Sequence, residues 1–180
     1  MQAHSSHHAS HGTEQKSRHD HASQGGHYGR LAIMLVLSFV SMYVLMYAMV
    51  DRFSNALPNL NQFYMAGLMV APMAVIELML MRSMFPDRKK NAVILVIAVL
   101  AAVAFWLAIR MQIGIGDRQF LKSMVPHHAS AVLMCERLRA DDPRIGRLCD
   151  EIEASQKAEI ALMKSMLAQQ NGRGTEASSN

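Results

Sequence analysis

Between residues 124 and 163 the chain carries the side chains that soft metal ions prefer. Met124, His127 and His128 fall in the run Met124-Val125-Pro126-His127-His128, followed by Met134, Gln156, Glu159 and Met163. Thioether sulfur favours Cu(I) or Ag(I), and neutral imidazole binds either copper state. A nearby carboxylate or amide can ligate or hold a histidine tautomer. On a helix, residues three, four and seven apart share a face, which aligns Met124, His127 or His128, Ala131 and Met134 or Cys135. A hairpin turning at Asp141-Asp142-Pro143 sets Cys135 level with Cys149, His128 with Gln156, and Met124 with Ile160 and Met163. Pro126, whose ring obstructs the hydrogen bond to the preceding turn, is expected to bend the first arm and turn His127 inward. A purely structural reading competes, because methionine packs readily in helical cores and adjacent histidines cannot share one helix face.

Cys135 and Cys149 stay open between three roles. Outside the cytoplasm, two cysteines at one level of a hairpin favour a disulfide stapling a module too small to bury much core. As thiolates they would instead add soft ligands. Unpaired core thiols are the third possibility.

The arms that must position these groups show helical periodicity from Asp117 to Gln170. Phe120, Met124, Ala131, Met134 and Leu138, then Ile145, Leu148, Ile152, Ile160, Met163 and Leu167, recur at helical spacing and form the expected apolar face. Asp142 is placed to cap the second arm, with Pro143 at its first position. The hairpin is assigned to 111–170, and residues 171–180, rich in Gly, Ser and Asn, to a frayed tail.

Upstream lie three uncharged or nearly uncharged runs, at 31–50, 63–81 and 92–109, each long enough to span a hydrocarbon core. Together they make a transmembrane region over 31–110. The second run holds Pro72 and one carboxylate, Glu77, which reads as an interhelical hydrogen-bonding group or an ion-pathway residue. A cleavable signal ending near Ser54-Asn55-Ala56 is the alternative for the first run, but the polar stretch before it and the apolar run itself are too long. Arg82, Arg88, Lys89 and Lys90 flank the second loop, whereas the first loop has only Arg52. The positive-inside rule therefore puts the second loop and the N-terminus in the cytoplasm and the hairpin outside an inner (plasma) membrane. Residues 1–30 form a polar tail with seven histidines from His4 to His27, expected to be disordered and either loosely metal-buffering or simply solvated.

Composition agrees with an all-α membrane protein: 51% of residues are hydrophobic and 16 of 180 are methionine. The net charge of +4 comes from dispersed basic residues, and the densest cluster abuts a span, so no nucleic-acid partner is expected. No nucleophile with an attendant base, phosphate-cradling glycine loop or paired Glu-x-x-His motif appears, so no catalysis is expected.

Asp117-Arg118-Gln119-Phe120, Met124-Val125-Pro126-His127-His128-Ala129, Met134, Gln156, Glu159-Ile160 and Met163 together resemble the repeat unit of the domain of unknown function 305 (DUF305) family. That resemblance implies a ferritin-like helical hairpin, half of a four-helix bundle, and an association with copper or silver tolerance. Many members carry two repeats where this chain has one, which leaves an apolar face to be covered and implies a homodimer. The cysteine pair is not part of the family motif. The expected function is a membrane-anchored copper- or silver-binding protein that buffers or hands over ions near an efflux system. One alternative is a transporter, since Met65, Met69 and Met73 superficially resemble the thioether rings of eukaryotic copper-import channels. A scaffold whose hairpin binds a partner protein is the other.

Overall fold

Long apolar runs separated by short polar loops leave helices packed side by side as the simplest arrangement. The structure, a computed structural model, describes residues 10–177, with side chains from 26 to 172, and every regular element among them is helical. In order these are α1 (Ser10–Leu45), α2 (Leu60–Leu80), α3 (Arg88–Arg110), α4 (Asp117–Arg137) and α5 (Pro143–Ala177). Single 3-10 turns at Met46–Met49 and Phe53–Asn55 join α1 to α2.

The segments Gly26–Met49, Leu60–Leu80 and Arg88–Arg110 are long and apolar enough to cross a membrane. At about 1.5 Å per residue even 21 residues cover roughly 30 Å, the thickness of a hydrocarbon core. Their outward faces, with Val36, Leu37, Ile97 and Leu100 each about 60% exposed, suit a hydrocarbon surround better than water. Where the helices touch, residues are small: Ala66, Gly67, Ala71 and Ala74 form the buried side of α2. A Cβ on Gly67 would stand 2.4 Å from the Phe105 ring of α3, so only glycine permits that approach. Pro72 lies within an unbroken α2.

Each loop is tied at its own end. Tyr28 donates to Asn91 Oδ1 at 2.8 Å and packs on Phe85, which joins the start of the first span to the α2–α3 loop. Asp87 caps α3 by accepting from the Lys89 and Lys90 amides, and these bonds hold its carboxyl below the ordinary range. At the other end Asn59 caps α2 through the Gln62 amide.

α4 and α5 form an antiparallel hairpin. Arg118 pairs with Asn171, His128 with Glu159 and Glu136 with Lys157, the second number falling as the first rises. Asp142 caps α5 at the Arg144 amide, 2.8 Å away, and Pro143 opens the helix, as the sequence indicates. On α4 the interior lies one position from the expected face, whereas Ile160, Met163 and Leu167 of α5 pack in it as expected. Leu121, Val125, Ala129 and Val132 are buried against Ile160 and Met163, with Val50 and Leu57 of the first loop closing the cluster. Phe120, Met134, Leu138, Ile145 and Leu148 are instead about half exposed. Small and β-branched residues let two helices approach closely, whereas Phe120 and Met134 would hold them apart.

Both tails also differ from expectation. α1 extends back to Ser10 through the polar stretch, and α5 runs on to Ala177. A packed segment nucleates a helix, and each further residue then gains a hydrogen bond at little cost. The metal-buffering role considered for His4, His7, His8, His11, His19 and His21 concerns side chains outside the described residues.

Candidate metal centre

The helical spacing 121, 125, 128, 132 carries His128 into the α4–α5 interface, where it is only 8% exposed. His127, one residue and about 100° earlier, is exposed. The histidine turned towards α5 is therefore His128, and the expectation for His127 is corrected. Periodicity decides this, because α4 remains one continuous helix through Pro126.

Both nitrogens of His128 are engaged. Nδ1 lies 2.9 Å from the Met124 carbonyl oxygen, which can only accept, so Nδ1 carries a proton. Nε2 lies 2.7 Å from Glu159 Oε2, within hydrogen-bonding distance of that carboxylate. Glu159 also accepts from Ser155 Oγ at 3.0 Å. The Ser155 bond and then the His128 bond keep its carboxyl below its ordinary range. With Nδ1 fixed on a carbonyl, Nε2 is the nitrogen a metal would use, in competition with a proton.

On the other side of α4, Met124 and His127 are three residues apart and line a cavity of about 300 Å³ together with Met46, Met49 and Met65. Met46 and Met49 come from the 3-10 turn after α1, and Met65 from the second turn of α2. Asn59, Asn61, Gln62, Ser123 and Ser130 supply its remaining polar wall, with no carboxylate or cation. Four thioethers and one imidazole form a donor set suited to a soft monovalent ion and poorly suited to a hard one. Met124 belongs to both environments, since it also packs on the α4–α5 cluster.

Residues 117–180 match the family model described as a domain of unknown function (DUF305). The chain is also 35% identical over 143 residues to an uncharacterized protein of Acanthamoeba polyphaga mimivirus, covering 76% of this chain and 90% of that one. The chain belongs to the DUF305 family. Because 143 aligned residues exceed the 64 from 117 to 180, the likeness to the viral protein extends into the helices before the DUF305 segment. No solved structure matches the chain.

Within the DUF305 hairpin the sequence-derived set divides. His128, Glu159 and Met163 meet at the α4–α5 interface, and Met124 with His127 faces the membrane helices. Met134 is 55% exposed and joins neither group, a consequence of the one-residue shift in the buried face. Gln156 is half-buried, and Glu159 takes the place expected for it beside His128. Among the described residues no three His, Cys, Asp or Glu side chains converge. Sequence reasoning missed Met46 and Met49. Their spacing of three at the polar end of the first span was the available signal.

Cys135 and Cys149 are free thiols facing each other across the hairpin. The Cys149 hydrogen bond, followed by burial and neighbouring negative charge, pushes the Cys135 thiol up to about 11. Cys135 lies eleven residues along α4 from Met124, roughly 16 Å at about 1.5 Å per residue, too far to share that cavity.

Proposed function

We propose that this DUF305 protein is a membrane-anchored binder of a soft monovalent ion, Cu(I) or Ag(I), serving metal tolerance or homeostasis. One observation carries the reading: Met46, Met49, Met65, Met124 and His127, drawn from three separate elements, line one cavity where the hairpin meets the membrane helices. Of these five residues only Met124 also packs on the hydrophobic cluster of the hairpin, so the packing of α4 against α5 does not by itself require the gathering. Thioethers and imidazole would hold the ion, and the adjoining amides and hydroxyls would wall it from water. In this reading the three apolar helices sit in the plasma membrane. The Arg82–Lys90 loop is cytoplasmic, so the hairpin and cavity face outward, where an efflux system would deliver or receive the ion.

A Met-lined transport path finds less support. Met65 and Met69 lie on the exposed side of α2, 39% and 44% accessible, while its inward side is Ala and Gly. The homodimer remains part of the proposal, with Leu138, Ile145 and Leu148 as its contact, since Val50 and Leu57 already cover the hairpin's other flank. Sedimentation in detergent should give a two-chain mass that Leu138→Lys with Leu148→Lys halves; a wild-type monomer would remove the dimer.

The test of the metal reading is Ag(I) and Cu(I) titration of the full chain in nanodiscs against a chromophoric chelator, beside a Met46→Leu, Met49→Leu, Met124→Leu variant. Leucine keeps the volume and removes the sulfur. Loss of even an outer-shell partner typically weakens metal binding 10–100-fold, so a loss of at least about tenfold is expected. An unchanged affinity in the folded variant would refute the assignment.

A further inference from the structure

A second cavity shares no lining residue with the one that holds Met124 and His127. It is a cleft of about 870 Å³ between α2 and α3, at the end that carries the Phe85–Asp87 loop. Val75, Leu78, Ala92 and Leu95 line its length, two helical turns of apolar wall. Arg82 and Arg88 stand at its loop end, both exposed and neither ion-paired among the described residues. Asp87, beside Arg88, is taken up by the Lys89 and Lys90 amides and by Lys90 Nζ at 3.6 Å, and Glu77, five residues before Arg82, makes no ion pair among the described residues. Asn91 is occupied as well, donating to the Phe85 carbonyl and accepting from Tyr28, so it shapes the wall rather than offering a ligand.

Two uncompensated guanidinium groups over an apolar trough require a ligand with an anionic head and a hydrocarbon tail. The cleft opens where α2 and α3 leave their apolar segments, the depth at which a lipid phosphate lies beside a membrane helix. Paired guanidiniums bind phosphate oxygens through forked, charge-assisted bonds. A free anion would satisfy the arginines but leave the apolar wall uncovered, and a zwitterionic lipid would bring its own cation to them. We propose that this cleft binds one anionic phospholipid, its phosphate between Arg82 and Arg88 and an acyl chain along Leu78 and Leu95. The site depends on the membrane placement of α2 and α3 and not on metal binding.

The test uses the full chain, delipidated in detergent and titrated with phosphatidylglycerol, phosphatidylcholine or inorganic phosphate, with native mass spectrometry and thermal unfolding as readouts. Retention of one phosphatidylglycerol per chain is expected, at least about tenfold more tightly than phosphatidylcholine, with no stabilisation by phosphate alone. Arg82→Gln with Arg88→Gln should abolish that preference. Lys89→Gln with Lys122→Gln, an equal loss of charge outside the cleft, should keep it. Leu95→Trp, which fills the trough and spares both arginines, should also lose the lipid, so the proposal does not depend on one variant folding. Equal binding of the two lipids would overturn it, as would a preference that survives the double arginine change. Stabilisation by phosphate that persists in Leu95→Trp would identify a free-anion site instead. A two-chain mass lost in Leu95→Trp without bound lipid would identify a second copy as the occupant.

Discussion

Val125→Ala is the substitution that separates the observed hairpin interior from the one read off the largest apolar residues. Val125 is fully buried between α4 and α5, next in sequence to Met124. Truncation removes two carbons, each worth about 0.8 kcal/mol on burial. Incomplete relaxation around the space left adds up to about 1 kcal/mol, giving about 2 to 2.5 kcal/mol in all. At 1.4 kcal/mol per decade this is roughly a 30- to 60-fold increase in the open population of the hairpin. Hydrogen–deuterium exchange of the full chain in nanodiscs reads it directly as faster exchange of α4 and α5 amides, with α2 and α3 unaffected. Met134→Ala is the partner measurement. That side chain is 55% exposed, so its loss should change exchange by less than about threefold. A Met134→Ala effect equal to or larger than that of Val125→Ala would refute the register and, with it, the placement of Met124 and His127 towards the membrane helices.

The His128–Glu159 pair makes stability depend on acid. Glu159 is held below its ordinary value of 4.5, so the pair stabilises the fold above that value, and the contribution is lost as pH falls through the lower folded value. Glu159→Gln should therefore melt below wild type near pH 6, with the gap closing as pH drops below about 4; a gap that stays constant would reject the pairing. For the cysteines, the alkylation rate of Cys135 should keep rising towards pH 11 instead of levelling near the ordinary thiol value of 9.0. Cys149→Ala, by removing the principal cause of the shift, should bring the midpoint down. A wild-type plateau near pH 9 would show that the two thiols do not interact.

Much of the architecture was legible in the sequence because long-range order here follows from one-dimensional pattern. Three charge-poor runs, the Asp142-Pro143 helix start and the periodic stretch from Asp117 are local signals, and the structure has a helix for each. The face of α4 was less legible. Weighting by size selects Phe120, Met124 and Met134, but the closeness of the two helices selects Leu121, Val125, Ala129 and Val132. That single step of about 100° exchanges His127 for His128 at the α5 interface and sends Met134 outward. Met46 and Met49 were invisible as partners of Met124 for a different reason. They lie 75 or more residues earlier in the chain, and their meeting depends on where the hairpin docks.

The hairpin docks where polar side chains at the start of α2 and on α4 meet backbone groups that the helices leave unpaired. Pro126 has no N–H, so the carbonyl of Lys122, four residues earlier, loses its usual helical partner. Asn59, buried at the start of α2, brings its side-chain amide to 3.5 Å from that carbonyl, but its two hydrogens point to nearer acceptors, Gln62 Oε1 at 2.7 Å and the Leu57 carbonyl at 3.0 Å, so this contact is weak. Leu60, the first residue of α2, has the complementary defect: an N–H that its own helix leaves unpaired. Gln119 of α4 accepts it at 3.3 Å, and Asn61 adds a bond to Ser123 at 3.2 Å. Gln119 and Ser123 thus hold the observed register of α4 on α2, with Asn59 beside the carbonyl that Pro126 leaves open. That register aims Met124 and His127 at the end of the first span, where Met46, Met49 and Met65 stand. Pro126 therefore turns no histidine; it leaves the Lys122 carbonyl open beside Asn59, while Gln119 and Ser123 make the bonds that hold the hairpin to the membrane helices.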